Sequence, residues 1–181
     1  MVGAAFLDRD GVINEEVHYL HEVHKAVLIP GVGAAIREIR RHGWKVIVVT
    51  NQAGIAKDLY TEADLHAVNA RISELLAAEN AAWDAIYFCP HHPEHTGTCN
   101  CRKPAPGMLQ AAIRDFNIDP AKSFMVGDRL TDLEAGQAAG CAKTYLVRTG
   151  YGQKTIAKGT PDNLTIVDNL TAAVNDFFNN K

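Results

Sequence analysis

The residues with the most evident chemistry lie near the start of the chain, where FLDRDGVIN occupies positions 6 to 14 and sets Asp8 and Asp10 on either side of Arg9. Side chains alternate along an extended segment, so the two carboxylates are expected to share one face, with Arg9 on the other. Two carboxylates that close repel unless a cation or a proton separates them, and the spacing therefore asks for a metal ion or a shared proton. A solvated Asp-Gly turn is the alternative reading of the same stretch.

Other polar words follow short β-rich runs. VVTNQAG holds Thr50, Asn51 and Gln52, CRKPAPGML holds Arg102 and Lys103, and MVGDRLTD holds Asp128 and Asp132. In an open parallel α/β sheet, ligands bind beyond the carboxyl ends of the strands, so these words converge if the runs are parallel strands. The set suits phosphoryl transfer. Asp8, Asp128 and a backbone carbonyl at the Asp10 position can hold Mg²⁺, a hard ion that takes oxygen ligands. Thr50, Asn51 and neighbouring Gln52 would donate hydrogen bonds to phosphoryl oxygens, with Lys103 adding positive charge. One aspartate can attack phosphorus while the other protonates the leaving alcohol and later activates water. Asp8 is nearer the strand and is the expected nucleophile; Asp10, on the turn, is the expected general acid and base. Asp132 is expected to support the water shell of the metal or the helix start at Thr131.

The elements that must position these groups are legible in the pattern. Strands are predicted over residues 4–7, 45–50, 85–88, 123–126, 144–147 and 164–167. Between them, Val32, Ala35, Ile36 and Ile39 form a helical stripe, as do Leu65, Val68, Ile72, Leu75 and Leu76, then Leu109, Ala112, Ile113 and Phe116. A last helix would carry Leu170, Val174, Phe177 and Phe178. Thr61 with Asp64, and Thr131 with Glu134, have the spacing of capping boxes. The alternation predicts one α/β domain over residues 1–181, a parallel sheet between two layers of helices. Two stretches break the rhythm: residues 12–29, read as a flap, and residues 89–107. Structureless loops longer than about 12 to 15 residues are uncommon unless they are functional.

The second of these contains CPHHPEHTGTCNC at 89–101. Zinc takes four Cys or His ligands, and Cys89, Cys99 and Cys101 with one of His91, His92 and His95 would form a closed, structural site. A Cys99–Cys101 disulfide would make too tight a ring. Such a site would stiffen the loop so that Arg102 and Lys103 point at the carboxylates, with Arg102 a candidate contact to the substrate. Cys141 reads as a small buried apolar residue. His18, His21 and His24 read as part of the flap.

With 181 residues, 47% hydrophobic, 22% charged and a formal net charge of -3, the chain has the balance of an ordinary globular domain. It offers no general electrostatic attraction to nucleic acid or anionic membrane. No apolar run approaches the roughly 20 residues of a membrane span, and the start lacks a signal-peptide pattern. A cytoplasmic monomer acting on a small phosphorylated molecule is the expectation.

DRDG, then TNQ, a lysine ahead of the third helix and GDxxxD resemble the haloacid-dehalogenase (HAD) superfamily of aspartate-nucleophile phosphatases, in order and over nearly the whole chain. The resemblance implies a three-layer Rossmann-like fold without a large cap domain. It also implies Asp8 as nucleophile, Asp10 as acid and base, Thr50 and Lys103 on phosphate, and Asp128 on Mg²⁺. CPHHP followed by CxC and RKP resembles the zinc loop shared by heptose-bisphosphate phosphatases and histidinol phosphatases, which implies His91 as the fourth ligand. TNQAGIAKDLYTE, CRKPAPGML and YLVRTG look like the heptose family, and imply removal of the 7-phosphate of D-glycero-D-manno-heptose 1,7-bisphosphate in heptose biosynthesis. The seven residues between His91 and Cys99 are a short form of the loop, which leaves histidinol phosphate as an alternative substrate. A zinc knuckle on a nucleic-acid-binding module is the alternative of another class; the acidic balance argues against it.

Overall fold

Every predicted β-rich run forms a strand, with ends shifted by a residue at most. In the computed structural model, which describes residues 1–179, the strands are β1 Ala4–Leu7, β2 Lys45–Asn51, β3 Ala85–Cys89, β4 Phe124–Gly127, β5 Lys143–Val147 and β6 Thr165–Val167. All pair in parallel, in the order β3-β2-β1-β4-β5-β6. The winding reverses between β1 and β4, and a crevice opens there at the carboxyl ends of the strands.

The helices are α1 Val32–Arg41, α2 Ala53–Ala56, α3 Glu62–Ala78, α4 Pro93–Thr96, α5 Gly107–Phe116, α6 Leu130–Ala138, α7 Gly152–Ala157 and α8 Leu170–Asn179. On one face of the sheet, Leu7, Val48 and Val126 belong to a core with Ile36 and Ile39 of α1, Ile72 and Leu76 of α3, and Val174 of α8. On the other, Phe6, Ile47, Val49 and Met125 pack with Met108, Leu109 and Ala112 of α5 and Ala135 of α6. Burial on both faces explains why the central strands read as unbroken apolar runs rather than alternating ones. Three layers result, as expected. Among the described residues no helix is long and apolar enough to cross a membrane.

The Thr61–Asp64 capping box is present, each residue bonding to the backbone N–H of the other at 3.2 and 2.8 Å. The Thr131–Glu134 box is not. Helix α6 begins at Leu130, and it is the Asp132 carboxylate that accepts the Arg129 N–H, at 3.0 Å. Glu134 points to solvent whereas Asp132 is buried at the helix start, where a carboxylate also opposes the helix dipole favourably.

The two irregular stretches flank the crevice. The first closes on itself: Glu15 N–H donates to Val27 C=O at 2.9 Å, and Ile29 N–H to Ile13 C=O at 3.0 Å. The second carries α4 and leads into α5. No further domain interrupts the described residues, so the crevice is roofed only by these loops.

Candidate active site

Asp8 follows β1 and Asp128 follows β4, and because these strands are neighbours the two carboxylates meet. Asp8 N–H bonds to Val126 C=O at 3.0 Å. Oxygens of Asp8, Asp128 and Asp132 lie within 4.8 Å of one another, with side chains almost wholly buried. Lys103 answers part of this charge. Its Nζ lies 2.9 Å from Asp8 Oδ1 and 2.7 Å from Asp132 Oδ1, and donates to Val49 C=O at 2.8 Å. One ammonium among three carboxylates leaves a negative oxygen-lined hole, the donor set of a hard divalent cation.

The electrostatics follow from that imbalance. Burial pushes the Asp8 pKa up to about 7, against the pull of Lys103 and with the push of Asp132 and Asp10. Burial, then Asp8 and Asp132, push Asp128 up to about 8. Burial opposes charge on Lys103, but Asp132 and Asp8 outweigh it and hold the ammonium above its ordinary range. Asp132, expected on a water shell or a helix start, thus joins the acidic cluster and clamps Lys103.

A segment outside the sequence candidates closes this cluster. A Cβ on Gly11 or on Gly150 would sit 2.3 Å from Asp128 Oδ2, and both glycines have positive φ, 82° and 57°. Tyr151 N–H donates to the same oxygen at 2.7 Å, while Thr149 Oγ1 donates to Gly11 C=O at 2.6 Å. Gly11 and Gly150 lie in the sequence words DRDG and YLVRTG, which carried a family resemblance but gave neither glycine a role.

Asp10 departs from expectation. The strand ends at Leu7, so alternation does not carry through to residue 10, and Arg9 does not point away. Its fully buried guanidinium turns to Asp10, with Nη2 2.9 Å from both carboxylate oxygens and Nε 3.3 Å from Oδ1. Asn14 Nδ2 donates to Asp10 Oδ1 at 2.9 Å and Gln52 Nε2 to Oδ2 at 3.1 Å. The acidic partners that converge with Asp8 are therefore Asp128 and Asp132, while Asp10 stands beside them in the same cavity.

Gln52 Nε2 also donates to Thr50 Oγ1 at 2.8 Å, and Tyr60 donates to Gln52 Oε1 at 2.5 Å. Burial pushes Tyr60 up to about 12, so it keeps its proton. Asn51, expected to donate to phosphate, instead clamps the Lys103 main chain: Lys103 N–H donates to Oδ1 at 3.0 Å and Asn51 Nδ2 to Lys103 C=O at 3.1 Å. Tertiary pairing of β2 with the 100–106 turn decides this, which no local pattern shows.

The cavity holds about 690 Å³. Asp8, Asp10, Thr50 and Lys103 form its floor, Lys57, Arg102, Arg129 and Lys158 its basic mouth, and Glu16, His18 and Tyr19 of the 12–29 flap one wall. His18 Nδ1 lies 3.1 Å from Tyr151 Oη, and Lys57 Nζ donates to Tyr19 Oη at 2.9 Å, tying flap to mouth. Arg102 lends one nitrogen to His91 C=O at 3.0 Å.

The cysteine loop starts where β3 ends, with Cys89 paired in register beside Asn51. Ligand atoms of Cys89, His91, Cys99 and Cys101 lie within 4.8 Å of one another. The sulfurs are 2.9 to 3.5 Å apart, and His91 Nδ1 lies 3.4 Å from Cys101 and 3.7 Å from Cys89. Those edges approach the roughly 3.8 Å of a tetrahedron with ~2.3 Å metal–sulfur bonds, and no cysteine is in a disulfide. His91 is the imidazole of this cluster. His92 instead caps α4, accepting the Glu94 N–H at 3.3 Å, and His95 sits with it outside the tetrahedron.

The raised carboxyl groups carry a pH signature. In protein stripped of divalent cations, Asp8 and Asp128 hold protons in the folded chain that the unfolded chain has released. That contribution to stability is complete below about pH 4 and is lost as pH rises through about 7 and about 8. Asp128→Asn is expected to stabilise the cation-free protein at about pH 9 by on the order of a few kcal/mol relative to its effect at about pH 4. Urea unfolding in EDTA at the two pH values measures the difference; equal effects at both would contradict it.

The comparisons agree with this geometry. Residues 100–173 match the HAD-hydrolase-like family model. The chain is 45% identical, over 82% of each chain, to D-glycero-beta-D-manno-heptose-1,7-bisphosphate 7-phosphatase of Yersinia pestis. It is 42% identical to the D-glycero-D-manno-heptose-1,7-bisphosphate 7-phosphatase of Thermosynechococcus vestitus, over 94% of this chain and 93% of that one. A crystal structure of D,D-heptose 1,7-bisphosphate phosphatase from B. bronchiseptica, complexed with magnesium and phosphate, superposes with a TM-score of 0.90 at 35% identity, covering 99% of this chain and all of that one. With its strand order, its buried aspartates and relatives matched over most of their length, this chain belongs to the heptose-bisphosphate phosphatase family of the HAD superfamily.

Proposed function

We propose that this chain hydrolyses the 7-phosphate of D-glycero-D-manno-heptose 1,7-bisphosphate through an aspartyl-phosphate on Asp8. The observation that carries the reading is the state of Asp8: buried, with Oδ1 held by Lys103 and, at 2.8 Å, by the Arg9 N–H, while Oδ2 has neither bond. A fixed carboxylate with one oxygen free of these donors is a nucleophile already oriented.

Mg²⁺ fits the residues present. All metal-donor atoms at the acidic cluster are oxygens, burial and then neighbouring carboxylates push the carboxyl pKa values up, and Asp8, Asp128 and the Asp10 main-chain carbonyl would hold the ion. When bound, it offsets the charge of carboxylates and phosphate. Lys103 and Thr50 hold phosphoryl oxygens, and Asn51 fixes Lys103 for that task. Asp8 Oδ2 attacks phosphorus as the bond to the sugar oxygen breaks, and Asp10 gives that oxygen its proton. Asp10 then takes a proton from water, the water oxygen attacks phosphorus, and the Asp8–phosphorus bond breaks to release phosphate.

Zinc fits Cys89, His91, Cys99 and Cys101, a complete N/S donor set with no position open to substrate. It would hold the loop that presents Arg102 and Lys103. The four basic groups at the mouth favour a substrate with a second phosphate. Histidinol phosphate, whose far end is cationic, would meet repulsion there.

Three outcomes are expected. Phosphate release with Mg²⁺ is at least tenfold faster in kcat/KM on the heptose bisphosphate than on histidinol phosphate, and Asp8→Asn lowers it by roughly a thousandfold or more; activity retained by Asp8→Asn would remove the nucleophile assignment. Arg102→Ala raises KM for the bisphosphate about tenfold and leaves a sugar monophosphate within about threefold, so equal effects would count against Arg102 as a contact to the second phosphate. Elemental analysis finds about one zinc per chain, and Cys99→Ser lowers both zinc content and melting temperature; an unchanged melting temperature in zinc-free protein would refute a structural zinc.

A further inference from the structure

Arg9 is the largest fully buried side chain among the described residues, yet the mechanism above uses only its backbone N–H. Its guanidinium lies under the cavity floor. Nη2 and Nε engage Asp10, and Nη1 donates to Asn69 Oδ1 of α3 at 2.8 Å. Asp10 is the one acidic partner in its ion pairs among the described residues. A buried guanidinium beside a carboxylate of its own chain neighbour contributes little to stability, since both groups lose water on burial. Asn69 adds to the same point: its Nδ2 is buried with no partner, so the fold carries a half-paired amide while keeping Oδ1 on Arg9.

The pairing does something more specific to Asp10. Three donors fall on Oδ1, from Arg9 Nε, Arg9 Nη2 and Asn14, and two on Oδ2, from Arg9 Nη2 and Gln52. The orientation of Gln52 is not arbitrary, because Tyr60 donates to its Oε1 and thereby turns Nε2 toward Asp10 and Thr50. A carboxylate on a turn, which would otherwise rotate freely, is held on one side by Gln52 from the cavity wall and on the other by Arg9 and Asn14, buried groups that do not line the cavity.

We propose that Arg9, anchored by Asn69, is a positioning residue for the general acid and base, holding the Asp10 carboxylate at the side of the cavity where the leaving oxygen departs. This rests on the role given to Asp10 in the proposed function. Arg9 touches neither substrate nor phosphate, and acts on the reaction only through Asp10.

The test is a double-mutant cycle read by phosphate release from the bisphosphate by the full chain with Mg²⁺. Arg9→Met is expected to lower kcat at least about thirtyfold with KM within about threefold, and Arg9→Lys to recover part of the loss. In an Asp10→Asn background, Arg9→Met is expected to change kcat less than about threefold, because the group it positions has already lost its function. Unchanged kcat in Arg9→Met, or the full factor repeated on top of Asp10→Asn, overturns the proposal. If Asp10→Asn is itself as fast as wild type, the role of Asp10 falls and this inference with it, a pattern distinct from a slow Asp10→Asn beside a fast Arg9→Met. Should urea unfolding show that Arg9→Met does not fold, Asn69→Ala takes its place, leaving the buried ion pair intact but with one anchor fewer. A severalfold fall in its kcat that disappears with Asp10→Asn supports the inference, and an unchanged kcat overturns it.

Discussion

The structure depends on a buried imbalance of charge at the carboxyl ends of β1 and β4. Asp8, Asp128 and Asp132 are brought into mutual contact with the single ammonium of Lys103 between two of them. Isolated, such a cluster would be strongly unfavourable, because each ionised group loses its water and gains a like-charged neighbour. The sheet supplies the compensation. Its parallel ladder fixes the strand ends rigidly, its two apolar cores supply the stabilising burial, and the residual negative charge is left for a cation to satisfy. The oxygen-lined hole, the donor set of a hard cation, is then a consequence of the fold rather than a separate device.

The position of Lys103 shows how far the surroundings are organised to hold that ammonium. Its main chain is clamped in both directions by the Asn51 amide, at the end of β2, and Asn51 is in register with Cys89, the first member of the Cys3His cluster. Cys101 closes the cluster two residues before Lys103. The Cys3His loop and the acidic centre are thus parts of one short mechanical path, from a sheet edge through the thiol cluster to the buried Lys103 ammonium. On the opposite side, Arg9, Asn14, Gln52 and Tyr60 hold Asp10 in a second buried network. The two networks run side by side at the end of β2, where Thr50, bonded to Gln52, precedes Asn51, bonded to Lys103, so Asp8 and Asp10 each have their own buried support.

Between them the cavity remains broad, because only the 12–29 flap and the cysteine loop cover it. Four basic residues, Lys57, Arg102, Arg129 and Lys158, belong to its lining. The guanidinium of Arg129 lies 4.0 Å over the ring of Tyr151, whose N–H holds Asp128. The basic lining is therefore physically continuous with the groups that hold the acidic cluster.

The sequence by itself determined the strands, the layers and the identity of most site residues, because apolar periodicity and residues such as Asp8, Thr50, Lys103 and Asp128 at strand ends are local signals that parallel pairing brings together. It also named the three cysteines, since few other arrangements suit thiols so spaced. Other features needed the tertiary structure. Whether Arg9 faces away from Asp10 or grips it depends on where β1 stops and on Asn69, sixty positions later. Whether Asn51 meets phosphate or the backbone of Lys103 depends on a turn fifty-two residues away. Gly150 and Tyr151 enter the site only because β5 lies beside β4, and the residues alone left His91, His92 and His95 open until a family resemblance pointed to His91, which the closure of the loop places against the thiols. Each of these is a choice between hydrogen-bond partners of similar local merit, and such choices are settled by which buried donors and acceptors the rest of the fold leaves within reach.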